Sequence, residues 1–146
     1  MRADTIGRIS IGGVLAASTI RATLSIGNVS AGAIQVSQVF AGVRADVTGL
    51  PSAATGFAET RATIASVTVR GRSSGTFSDS QIATWDLGAV SLARIRPDNR
   101  GAPFGVAAHR VRVLRASTAG RPETFRDLTA PAGPISLGGD AIARLV

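Results

Sequence analysis

A chain of 146 residues, 45% of them apolar, is long enough for one domain with its own core and too apolar for the disordered class. Its sixteen basic residues are all Arg and face nine acids, a net charge of +7 that attracts anionic polymers without naming one. The absence of Cys excludes disulfides and thiolate metal sites, and no stretch approaches the roughly 20 apolar residues of a membrane span.

Met1-Arg2-Ala3-Asp4 runs straight into patterned sequence, so no secretory signal is legible there. The first unit is Ile6-Gly7-Arg8-Ile9-Ser10-Ile11, followed by Ser18-Thr19-Ile20-Arg21-Ala22. Both phrases return, as Ile26-Gly27-Asn28-Val29-Ser30-Ala31 and Ser37-Gln38-Val39-Phe40-Ala41. An insert of about 44–60 follows, holding Gly49, Pro51 and Gly56. The first phrase resumes as Ile64-Ala65-Ser66-Val67-Thr68-Val69 and as Leu87-Gly88-Ala89-Val90-Ser91-Leu92. The second resumes as Ser80-Gln81-Ile82-Ala83-Thr84 and, degenerate, as Phe104-Gly105-Val106-Ala107-Ala108. A weak fifth copy of the first phrase is Val111-Arg112-Val113.

Aligned on Ile9, Val29, Val67, Val90 and Val111, the steps are 20, 38, 23 and 21 residues. Without its insert the long step also falls near 21, inside the range of stacked-repeat periods. Each phrase alternates apolar with polar or small residues and is rich in β-branched side chains, which selects strand over helix. A unit this short holds no pair of helices, but it does hold one coil of two or three strands. The expected fold is therefore all-β, a parallel β-helix (solenoid) of about five coils over residues 1–116. From Ser117 the rhythm breaks at Gly120, Pro122, Pro131, Gly133 and Pro134, before an alternating end at 140–146. Residues 117–146 are expected to form an irregular C-terminal cap, with Phe125 and Leu128 plugging the column.

The repeated Ile-Gly-x-Val-Ser and Ser-x-Ile-x-Ala, with Thr76-Phe77-Ser78-Asp79-Ser80-Gln81-Ile82-Ala83, Pro103-Phe104-Gly105-Val106-Ala107-Ala108 and the closing Arg144-Leu145-Val146, resemble a known class. They are similar to the carboxy-terminal β-helix repeat regions of large bacterial surface or secreted proteins. That resemblance implies a right-handed coil and an extracellular or cell-surface setting. It brings no catalytic motif, and this chain lacks the long amino-terminal region of such proteins.

The chemistry of sites is sparse. The acids are scattered, and only Asp79 and Asp86 are expected on adjacent turns, so no carboxylate pair for acid–base work is legible. His109 is the single His, which excludes a multi-His metal site; it reads as a surface or corner residue. No catalytic, cofactor or metal residues are assigned, and the chain is read as non-enzymatic. Two ladders stand out. Stacked coils would align Ser10, Ser30, Thr68, Ser91 and Arg112 as an outward row. They would also gather Arg70, Arg72, Arg94, Arg96 and Arg115 into a stripe able to hold an anionic polysaccharide. Nucleic acid is disfavoured, since the aromatic residues that single-strand binders interleave are missing.

The amino end has no cap, and an open coil edge invites strand addition. Ile6, Ile9 and Ile11 are the expected assembly edge, continuing the apolar stack into a second copy or an adjoining solenoid segment. The expected function is a structural or adhesive module of a bacterial surface or extracellular assembly. The alternative is a polysaccharide-binding or polysaccharide-degrading β-helix protein that grips acidic sugars with its Arg stripe.

Overall fold

The computed structural model describes residues 2–73 and 75–146, with side chains from residue 4 onward. These residues form twelve strands joined in one mixed sheet, with a single short 3-10 turn at Ala54–Gly56. The expectation of an all-β chain holds. No helix among the described residues is long and apolar enough to cross a membrane.

Strands β1 (Arg2–Ala16) and β2 (Thr19–Gln35) are long and bent, and they pair in parallel along their length. Later strands are shorter pieces of the same path. They are β3 (Gln38–Ala41), β4 (Thr63–Val69), β5 (Phe77–Ser78), β6 (Gln81–Ala83), β7 (Asp86–Ile95), β8 (Phe104–Ala108) and β9 (Arg110–Thr118). The last three are β10 (Arg121–Thr129), β11 (Ala132–Gly138) and β12 (Ala141–Leu145).

Pairing follows three parallel ladders. One runs through Ile20, Val39, Ile82, Val106 and Ala143, on β2, β3, β6, β8 and β12. A second runs through Ile9, Val29, Val67, Val90 and Leu114, on β1, β2, β4, β7 and β9. A third joins Leu15, Ile34, Phe77 and Ile95. Antiparallel pairs close the set, β9 with β10 and β11 with β12.

The inward residues of these ladders are one continuous core. Ile26, Ile64 and Leu87 are wholly buried in one column, and Ile34 and Phe77 in another. Each such side chain contributes roughly 1.5–3 kcal/mol by leaving water. Phe77 and Phe104 meet at 6.0 Å between ring centres, filling the space between two ladders. With few aromatics in the chain, branched aliphatics supply most of the remaining volume.

The register corrects the fifth alignment. Val111 pairs with Leu87, and Leu114 is the partner of Val90. The outward row therefore runs Ser10, Ser30, Thr68, Ser91 and then Arg115, not Arg112. Arg112 instead follows Val111 and falls opposite Gly88. The register departs from the expected alignment because inward residues on this face are not evenly spaced. Ile64 and Val67 are both buried with two residues between them, whereas Val67 and Val69 have one. A pattern matched on strict alternation slips by three residues at such a break.

The segment between β3 and β4 contains the expected insert and folds back over the outer face of β3, β6 and β8. Val43 bridges to Phe57. Phe40, Leu50, Phe57, Ala83 and Ala107 form a second, smaller core there. The Arg21 guanidinium lies 4.8 Å over the Phe40 ring and donates to the carbonyls of Arg44 and Val47. Arg144 donates to the carbonyls of Leu50 and Pro51, each at 3.3 Å. Arg44 forks onto Asp46 at 3.0 and 3.1 Å, and these bonds hold the exposed Asp46 carboxyl below its usual pKa.

Beyond Thr118 the chain reverses into β10, whose Phe125 and Leu128 are half-buried against the main core. It then crosses to the other ladder, where β12 runs parallel to β8. The cap expected at 117–146 thus contains one more parallel rung, Ala141–Leu145.

Candidate functional site

β1 pairs with β2 alone and leaves its other edge without a strand among the described residues. The three edge residues named from the sequence all lie on it. Ile6 is buried at 8% exposure, while Ile9 and Ile11 are half-buried against the core. Their register partners on β2 are Ile26, Val29 and Ala31, exposed by only 0%, 1% and 2%. Sequence type is the same in both strands, so the difference comes from the missing neighbour. Val14, further along β1, is 55% exposed. The edge therefore combines unpaired backbone groups with an apolar side wall, the combination that pairs readily with another strand.

The arginine stripe divides in two. Arg94 and Arg96 flank Ile95 at a corner, where they line a groove of about 730 Å³ with Gln35, Val36, Ala119 and Gly120. Arg94 and Val36 both sit in the left-handed region, at φ of 51° and 49°. A β-branched residue such as Val36 is strained there. Arg70 and Arg72 are exposed beyond the end of β4, outside the lining of that groove. Arg115 stands on the flat outer face beside Ser91. The fold brings two of the five arginines into one concave place and spreads the other three.

A cluster the sequence reading missed lies at the opposite corner. Trp85 and His109 stack with ring centres 4.4 Å apart and planes 11° from parallel. Phe57 meets Trp85 edge-on at 5.8 Å. His109 Nδ1 lies 3.0 Å from the Val146 carbonyl oxygen. Beside them Arg110 pairs with Asp86, and this hydrogen bond raises the already high Arg110 pKa. These contacts tie the insert, two corners and the chain end together. The signal was present as an aromatic one position before each of two aligned strands, Trp85 before Asp86 and His109 before Arg110. It emerges only in the observed register of β9, which sets Arg110 opposite Asp86.

The acids do not converge. Asp86 is engaged by Arg110, whereas Asp79 accepts from Asn99 Nδ2 at 3.0 Å. Asp140 accepts the backbone N–H groups of Asn99 and Gly101 at 2.7 and 2.9 Å, which organises the turn before β8. Among the described residues no group of three His, Asp or Glu side chains is placed to hold a metal ion.

Compared with family models, with curated proteins and with solved structures, the chain matches none of them.

Proposed function

We propose that this chain is a non-enzymatic structural or adhesive module that accepts a further strand at its first edge. The three parallel ladders are read as the faces of a right-handed parallel β-helix, with β10 and β11 closing the far end as antiparallel strands. The resemblance to repeat regions of large bacterial surface proteins suggests an extracellular or cell-surface assembly. The observation that carries the reading is the β1 edge, where half-buried Ile9 and Ile11 and the exposed Val14 lie beside unpaired backbone. A bare edge of this kind also pairs with its own copies when nothing else is offered.

Light scattering over a wide concentration range tests it. The chain is expected to form species above one chain's mass at high concentration. Val14→Lys, which places a charge on the exposed side of the edge, is expected to keep it monomeric. A chain that is monomeric throughout overturns self-association.

A second reading is favoured by one observation, the groove lined by Arg94 and Arg96, which would hold an acidic sugar polymer. Cleavage of polygalacturonate that Arg94→Ala abolishes would put this reading first.

A further inference from the structure

The glycines of the stack record how closely one coil approaches the next. A Cβ on Gly27 would lie 1.9 Å from the carbonyl oxygen of Gly7, one strand earlier. A Cβ on Gly88 would lie 2.1 Å from the carbonyl oxygen of Ala65, again one strand earlier. A second column behaves alike: a Cβ on Gly32 would meet the Gly13 oxygen at 2.8 Å, and one on Gly71 the Gly32 oxygen at 2.4 Å. At these four positions the preceding strand points a carbonyl at the site, joined at Gly71 by the Thr76 methyl, whereas the Gly7 column carries side chains further on, at Ala65 and Arg112.

Gly7, Gly12 and Gly13 occupy the same columns on β1, yet a Cβ on any of them would meet nothing within 4 Å. Glycine inside a strand costs roughly 0.5–1 kcal/mol relative to Ala. Nothing within this chain requires that cost at these three positions. A further coil stacked on β1 would give them the carbonyl neighbour that Gly27 and Gly32 meet from β1.

A serine column gives an independent observation. The Ser18 N–H donates to Ser37 Oγ, and the Ser37 N–H donates to Ser80 Oγ, both at 3.1 Å. Each hydroxyl in turn donates to the carbonyl two residues before it, as Ser18 Oγ does to Ala16 at 2.7 Å. Ser37 and Ser80 Oγ thus each accept one N–H from the preceding coil. Ser18 Oγ accepts none among the described residues, and it occupies the position that such an N–H would reach.

We infer that the β1 edge is shaped to receive one particular occupant, a parallel, in-register coil from a partner polypeptide with the same corner and glycine pattern. This rests on the proposed function and specifies its partner. A second copy of this chain is a poorer fit. Two copies joined edge to edge by a two-fold axis would pair β1 with β1 antiparallel. The far end offers β10 and β11, which are antiparallel additions, and the three proline nitrogens of Pro122, Pro131 and Pro134 carry no proton.

The probe is a fluorescein-labelled synthetic peptide with the sequence of residues 17–35, the coil that occupies this environment inside the stack. Its binding to the full chain is read by fluorescence anisotropy against a scrambled peptide. The peptide is expected to bind and the scrambled one not to. Gly13→Val is expected to weaken binding by about tenfold or more without lowering the thermal midpoint, because its side chain enters open space in the free chain. Ser18→Ala is expected to weaken binding severalfold. Gly27→Val is the internal control and is expected to lower the midpoint, since its clash lies inside the folded chain. Equal binding by Gly13→Val and the parent chain overturns the in-register parallel geometry. Self-association of the parent chain without peptide binding above the scrambled control overturns the inference and leaves the edge-pairing function standing.

Discussion

Thr84 stands inward in the column Ala22, Ala41, Thr84, Ala108 and Leu145, with apolar neighbours above and below. Its residue is wholly buried, and its hydroxyl oxygen has no hydrogen-bond partner. A buried hydroxyl without a partner carries a desolvation cost of roughly 1–3 kcal/mol. Val has the same branched shape and suits a strand. Thr84→Val is therefore expected to raise stability by about 1 kcal/mol, read as a higher midpoint in urea with an unchanged slope. A lower midpoint would mean that the hydroxyl is satisfied by a buried water. The contrast with Ser37 and Ser80 is instructive. They are equally buried, but their hydroxyls both donate and accept within the corner column.

At the scale of elements, the insert is held by two arginines that reach it from the two ends of the β2–β3–β6–β8–β12 ladder, Arg21 on β2 and Arg144 on β12. Their guanidinium groups satisfy carbonyls that a loop of this length would otherwise turn to water. Each such charged hydrogen bond contributes roughly 1.5–3 kcal/mol at most, less where solvent reaches it. Arg21→Ala with Arg144→Ala is expected to speed trypsin cleavage at Arg44 and Arg61 by about tenfold without unfolding the strands. Unchanged cleavage would show that Leu50 and Phe57 anchor the segment alone. The insert's position was legible because it interrupts a period. Its docking was not, since Phe40 and Trp85 read equally well as ordinary strand residues until their neighbours are known. The same limit applied to β12. Ile142-Ala143 matches Ile82-Ala83 in sequence, yet on β8 it is Ala143, not Ile142, that pairs with the Val106 partner of Ile82. Pairing by backbone leaves no mark on sequence, whereas the inward columns Ile9, Val29, Val67 and Val90 do. The edge was legible for that reason, as a column that starts without a neighbour. The arginine groove was not, because Arg94 and Arg96 are brought together by a corner at positive φ.

Across the whole molecule, nearly every strand touches only the strands before and after it in its ladder. Stability in such a stack is close to a sum of units and nearest-neighbour contacts, so opening should begin where a neighbour is missing. β4 and β7 have parallel partners on both sides, β9 is closed by β10, and β1 has a partner on one side only. Amide hydrogen exchange in native conditions is expected to follow that order. Amides of β4 and β7 should exchange only through global unfolding, those of β9 nearly as slowly, and those of β1 fastest. The far end matters to this prediction, because an end exposed like β1 would fray equally and the gradient would be symmetric. Closure by β10, with Phe125 and Leu128 against the core, makes the gradient one-sided. Equal protection in β1 and β7 would mean that the stack opens as one cooperative unit, and that the bare edge costs the folded chain nothing. A one-sided gradient that the coil peptide abolishes would mean that the edge is both the weakest part of this molecule and the place where a partner stabilises it most.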